Sequence, residues 1–135
     1  MTRANEQERN AAGVEGNLAR HGKISYLQIP ARDPVALGRF YAAVFGWEVG
    51  DRPEHVSFRD ASGDLLGAFV PDLAPASEPG FLPYIYVEGL DAVVSRIEAN
   101  GGQIVRAPYL EENLLVATFR DPAGNVAGIW EGRGG

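Results

Sequence analysis

Apolar residues along this chain follow two rhythms, and the pair of rhythms occurs twice. The stretch KISYLQIPA, Lys23 to Ala31, alternates apolar and polar positions in the manner of a β-strand. RDPVALGRFYAAVFGW follows, with Leu37, Phe40, Tyr41 and Val44 at helical spacing. Asp33 can cap that helix, Pro34 suits its first turn, and Gly46 suits its C-terminal stop. A second strand-like run, FLPYIYVEG (Phe81 to Gly89), precedes LDAVVSRIEANGG. The latter sets Leu90, Val93, Val94 and Ile97 on one helical face and stops at Gly101 and Gly102.

The stretches after these helices also match. FRDASGDLLGAF (Phe58 to Phe69) and FRDPAGNVAGIW (Phe119 to Trp130) share Phe, Arg, Asp and two Gly at an offset of 61. The helix stops Gly46 and Gly102 differ by 56, so the second half carries five more residues, placed in a longer loop, APYLEENLL (Ala107 to Leu115). RDASGD and RDPAGN read as hairpin turns. VPDLAPASEPGFLP, with prolines at 71, 75, 79 and 83, reads as a semi-rigid connector. The pattern predicts an α+β fold of two tandem βαβββ modules, residues 22–70 and 81–131, joined by a connector over 71–80. Their strands make a curved mixed sheet, a cup with the helices on its outer face. Residues 1–21 are expected to form a flexible polar tail and 132–135 a short C-terminal one.

Period-two alternation then assigns the inner face. Ile24, Tyr26 and Gln28 point inward with Leu27 and Ile29 behind them, and Leu82, Tyr84 and Tyr86 do the same in the second half. Leu65, Gly67 and Phe69 share one face, as do Val126, Gly128 and Trp130. Tyr26, Gln28, Phe69, Tyr84, Tyr86 and Trp130 are therefore the candidate ligand-binding residues. Such a lining suits an aromatic or cationic small molecule held by stacking. Each position has a plainer role open to it. Tyr84 and Tyr86 can cover the sheet or a dimer interface, Trp47 and Trp130 can be core or rim, and the two glycines can allow close backbone packing. Asp60 and Asp121 fit hairpin turns.

Composition narrows the choice of partner. The 135 residues (14.5 kDa) are 45% hydrophobic and 22% charged, as in ordinary globular domains. A net charge of −6 with no basic run excludes nucleic acid as the expected partner. No stretch is long and apolar enough for a membrane span, and the first 20 residues lack a signal peptide's apolar core, so the cytoplasm is the expected location. Without cysteine, thiolate metal sites and thiol nucleophiles are excluded. There is no GxSxG and no phosphate-binding glycine loop. Of the two histidines, His55 lies inside the repeat as a possible general base or a surface residue, and His21 sits at the tail junction. Glu111 and Glu112 could form an acidic lid or a solvated loop.

The segments Ile29 to Trp47, Val87 to Gly102 and Phe119 to Glu131, in this order and duplicated, resemble the vicinal oxygen chelate superfamily. That group contains glyoxalase I, extradiol dioxygenases and the bleomycin and fosfomycin resistance proteins. The resemblance covers residues 22 to 131 and implies a cup of paired βαβββ modules. In the family's metal enzymes, His, Gln or Glu on the first and last strand of each module hold a divalent ion. Carried onto this chain, those positions fall on Tyr26, Gly67, Leu82 and Gly128. Leucine and glycine offer no donor, and a tyrosine would have to ionise. The expectation is a member that binds a small organic molecule with no metal or other cofactor, associating as a homodimer. The alternative is a glyoxalase- or dioxygenase-like enzyme with a relocated metal site or metal-free acid/base chemistry, with His55, Glu111, Glu112 and Tyr26 as its candidates. A third reading is a domain acting only through protein contacts.

Overall fold

The computed structural model describes residues 15–21, 23–76, 78 and 80–132. Each half is strand, helix and three strands. The first contains β1 (Tyr26–Pro30), α1 (Pro34–Phe45), β2 (Glu48–Val49), β3 (Val56–Arg59) and β4 (Leu66–Val70). The second contains β5 (Tyr84–Tyr86), α2 (Leu90–Ala99), β6 (Gln103–Glu111), β7 (Leu114–Arg120) and β8 (Val126–Gly132). The predicted α+β architecture stands. Hydrogen bonds divide the strands into two four-stranded ladders, ordered β1-β4-β3-β2 and β5-β8-β7-β6. In each ladder the module's first and last strands run parallel and the other pairs antiparallel.

Local chemistry sets the helix ends. The Ala36 amide donates to the Asp33 carboxylate at 3.2 Å, Pro34 opens α1, and Gly46 closes it in the left-handed region. Helix α2 begins after Gly89, which has no side chain to cap it. The cap comes from far along the chain: the Leu90 amide donates to the Glu131 carboxylate at 2.6 Å.

Both helices lie on one side of their sheets and share a single core. Phe40 and Phe45 of α1 meet Phe119 of β7 at ring-centroid distances of 6.2 and 5.8 Å, joining the modules. Within the first module Trp47 lies between Tyr41 and Phe58, with centroids 4.7 and 4.8 Å away. Two polar contacts also bridge the halves. The Tyr41 hydroxyl donates to Asp121 at 2.9 Å, and the Asn125 amide donates to the Pro30 carbonyl at 2.7 Å.

Three expectations change. First, Ala107 to Leu115 is not a loop. It lies within the hairpin of β6 and β7, in which Glu111 pairs with Leu114 and only Glu112 and Asn113 turn. Irregularities between Ile104 and Tyr109 absorb the extra length, which is how β-bulges accommodate insertions. Second, residues 15–18 of the expected tail are held against the first module. Glu15 pairs with Arg59 at 2.8 Å, Asn17 donates to the Gly63 carbonyl at 3.0 Å, and Leu18 is buried. Residues 1–14 of that tail, and residues 133–135, lie outside the described residues.

The third change concerns register. Arg59 pairs with Leu66 across the first hairpin, and Arg120 pairs with Val126 across the second. The first turn therefore spans six residues and the second five. Asp60 closes the longer turn by accepting from the amides of Gly63, Asp64 and Leu65. The structural counterpart of Gly128 is thus Ala68, and that of Trp130 is Val70. The matching glycines of LLGAF and VAGIW sit one residue out of phase, and one residue turns a strand's side chains to the opposite face.

Candidate functional site

Register identifies the face of each sheet turned away from the helices, the open face. In the first sheet, Tyr26 and Gln28 of β1 pair with Leu66 and Ala68 and share that face with Ser57 and Arg59. Leu27 and Ile29 point to the core, as expected. Phe69 pairs with Ile29, is 2% exposed, and packs on Tyr41 and Phe58. Its assignment to the ligand-binding face is corrected by the extra turn residue. Gly67 is likewise on the core face: a side chain there would meet Phe58 and the Leu27 carbonyl.

In the second sheet the residues expected on the inner face do share the open face. Tyr84 faces Gly128 and Tyr86 faces Trp130. The Tyr84 ring lies over Gly128, where an added Cβ would stand 2.2 Å from it. The Tyr86 and Trp130 rings meet edge to face at 5.0 Å. Tyr26, Tyr84 and Tyr86 are 52, 46 and 54% exposed, so each has surface available for contact. Further across the face, Thr118 pairs with both Gly128 and Arg106, and Val116 with both Trp130 and Tyr109. The Arg106 guanidinium stacks on Tyr109 at 3.5 Å. Arg106, Tyr109, Thr118 and Arg120 are not among the residues expected from sequence: Tyr109 fell in the stretch assigned to a loop by the five extra residues, and the faces of the strands on either side of it were not assigned. The alternation LLVATFR was the available signal for Thr118 and Arg120.

Between the modules lies a cleft of about 920 Å³. Leu27 to Pro30 of β1 line one side and Pro83 to Glu88 the other, with the connector residues Ala74, Ala76, Gly80 and Phe81 also contributing. Its apolar lining includes Tyr41, Val44, Phe45 and Trp47, and polar groups come from Gln28, Asp60, Glu88, Arg96 and Asn125. A space of this size suits a drug-sized organic molecule. Tyr84 and Tyr86 belong to both the cleft and the open face, making the two regions continuous.

The candidate catalytic residues do not converge. His55 is exposed in the turn before β3, and Glu112 stands exposed at the tip of the β6–β7 hairpin. Neither lines the cleft. Glu111 is fixed in the same hairpin, so the acidic-lid reading fails on its backbone geometry. His21 is exposed on the segment before β1. The shifted titrations are structural. Burial raises the Tyr41 hydroxyl well above its ordinary value, helped by the neighbouring Asp121 carboxylate. Burial also raises Asp121, against the opposing effect of its hydrogen bonds from Asn125, Tyr41 and Ala123.

The paired first- and last-strand positions offer a divalent metal one amide, at Gln28, and a tyrosine that would have to ionise, at Tyr84. With register corrected, these hold Gln28 beside Ala68 and Tyr84 beside Gly128, while Leu82 lies before β5. Among the described residues no three His, Cys, Asp or Glu side chains come together.

Residues 26–129 match the family described as the glyoxalase-like domain. The chain belongs to that family. Among curated relatives, CFP32 of Mycobacterium tuberculosis, provisionally named a glyoxylase, is 27% identical over 122 residues. That match covers 83% of this chain and 46% of CFP32, so the chain spans about half the length of that relative. A glyoxylase-like domain-containing protein of Didymella fabae is 32% identical over 95 residues, covering 62% of this chain and 71% of its own. Among solved structures, a glyoxalase/bleomycin resistance protein/dioxygenase family enzyme of Burkholderia phytofirmans superposes with a TM-score of 0.68 at 26% identity, covering 79% of this chain and 96% of that one. TnmS3, an antibiotic-binding protein from a Streptomyces species, shares the fold with a TM-score of 0.64 at 22% identity, covering 82% and 96%. No helix among the described residues is long and apolar enough to cross a membrane.

Proposed function

We propose that this glyoxalase-like chain binds a small aromatic molecule in the cleft between β1 and β5, against Gln28, Tyr84 and Tyr86, with Tyr26 and Trp130 beside it on the open face, and without a metal. One observation carries this reading: the half-exposed Tyr84 and Tyr86 line a cleft of drug-like volume whose lining reaches the apolar core. The donor set described above supports binding without a metal. The fold also occurs in TnmS3, described as antibiotic-binding, and that likeness speaks for the scaffold alone. The aromatic lining suits a cationic molecule as well, but the open face of the second sheet bears Arg106 and Arg120, which speak against a cation there. A homodimer and a cytoplasmic location complete the proposal. The exposed Tyr26, Tyr84, Tyr86, Leu110 and Leu114 give a second copy apolar surface to cover. The catalytic alternative draws no support from His55 and Glu112, which lie apart from the cleft.

The test is a thermal-shift and calorimetric screen of aromatic compounds against the chain and its Tyr84→Ala and Tyr86→Ala variants. A saturable ligand weakened by both changes upholds the reading. Unchanged affinity in both removes these residues from the site.

A further inference from the structure

Arg59 and Arg120 occupy equivalent places in the two modules, each the last residue of its strand before the hairpin turn. Each guanidinium donates to the carbonyl of its turn glycine: Arg59 to Gly63 at 2.9 Å and Arg120 to Gly124 at 3.0 Å. The resemblance ends at the other nitrogen of the fork. In the first module Arg59 Nη2 donates to the Glu15 carboxylate at 2.8 Å, and buried Leu18 follows three residues later. Among the described residues, no carboxylate reaches Arg120.

The segments leading into the two modules explain the difference. Residues 15–18 reach the first hairpin and deliver Glu15. The connector reaches the second hairpin with Pro75, which lies 3.8 Å from where a side chain on Gly124 would begin. Proline has no charge to offer. Arg120 is therefore a partly exposed fork, held in place by Gly124, with its second edge unmatched. A planar fork of this kind suits a carboxylate.

Its surroundings specify what else the ligand carries. Arg120 pairs across the ladder with Val126, which lines the cleft. Thr118 and Gly128, the latter beneath the Tyr84 ring, lie two residues further along the same strands, about 7 Å away along the backbone, while the Arg120 guanidinium is held toward the turn by Gly124 at the cleft's edge. A ring on Tyr84 with a carboxyl group attached directly or through a short linker points along the strands toward that fork. Resting on the aromatic-cleft reading above, we infer that the ligand is an aromatic carboxylate whose acid group docks on Arg120, as the Glu15 side chain docks on Arg59.

The overall charge makes the inference sharp, because a chain at −6 has no general attraction for anions. Titration calorimetry of the full chain with 2-naphthoate and its neutral isostere 2-naphthamide tests it. The naphthoate is expected to bind at least tenfold more tightly. Arg120→Gln should bring it down to the level of the amide and leave amide affinity unchanged. Arg120→Lys keeps the charge and a donor for Gly124, and should retain part of the preference. A role for Arg120 in folding alone would instead move both probes together. Equal affinities in the unaltered chain, or a preference that survives Arg120→Gln, overturn the carboxylate assignment and leave the aromatic cleft standing. Binding of neither probe overturns both. A dimer that Arg120→Gln dissociates would assign the fork to a carboxylate of a second copy and also overturn the small-molecule assignment.

Discussion

The Tyr41 hydroxyl on α1 donates to Asp121 in the second hairpin at 2.9 Å across 80 residues of sequence, and both groups are buried. This bond ties the helix of one module to the turn of the other. Asp121 also accepts from the amides of Ala123 and Asn125 and from the Asn125 side chain. Asn125 in turn donates to Pro30 at the end of β1, so the turn that shapes β8 also anchors the edge of the cleft. Tyr41→Phe leaves the ring packing in place and removes this bond. A loss of about 1–2 kcal/mol in stability is expected from urea denaturation.

Asp121 gives that bond a pH signature. Burial raises its folded-state pKa above the ordinary carboxylate value, so in the window between the two the folded chain binds more protons than the unfolded chain. Its contribution to stability is fully present below the ordinary value and is lost as pH rises through the folded one. Relative to Asp121→Asn, the unaltered chain should therefore gain melting temperature as pH falls from 7 toward 4. A flat or opposite difference would contradict the assignment.

Gly67 and Gly128 match in sequence and should differ sharply on mutation. At Gly67 a methyl group would stand 2.1 Å from the Leu27 carbonyl and 2.2 Å from Phe58, both fixed in the core. Gly67→Ala is expected to cost on the order of 3 kcal/mol or more, read from denaturation midpoints. At Gly128 the obstacle is the half-exposed Tyr84 ring, which can swing aside. Gly128→Ala should fold with a cost of about 1 kcal/mol, the figure for mild overpacking, while weakening aromatic ligands by displacing Tyr84.

Glu112 turns the β6–β7 hairpin with φ of +54°, a region that glycine occupies without steric cost. Glu112→Gly should stabilise the chain by up to about 1 kcal/mol in thermal denaturation. It should leave ligand affinity unchanged, because the hairpin tip lies away from the cleft. A loss of affinity would return Glu112 to the functional site.

The fold was legible because amphipathic period determines which face is buried. The stripe Leu37, Phe40, Tyr41 and Val44 and its partner Leu90, Val93 and Ile97 are the helix faces found in the core. Strand alternation gave Tyr26, Gln28, Tyr84, Tyr86 and Trp130 their correct faces. Phe69 failed because a shared glycine anchored the comparison of the halves, while the extra turn residue that Asp60 accommodates leaves no mark in an ungapped match. Arg120 was hidden for a different reason. Its identity was plain, but the free edge of its fork becomes visible only beside Arg59, whose partner Glu15 stood in a segment read as tail. The Glu131 cap on α2 was equally out of reach, since 41 residues separate its partners.

The most direct test of aromatic binding uses Trp130, which lies partly open beside Tyr86, against buried Trp47. With Trp47→Phe removing the other signal, fluorescence of the chain is followed as 2-naphthamide is added. A saturable change in Trp130 emission, weakened at least tenfold by Tyr84→Ala in the same background, is the predicted result. A chain that stays folded and shows no saturable change would contradict the account.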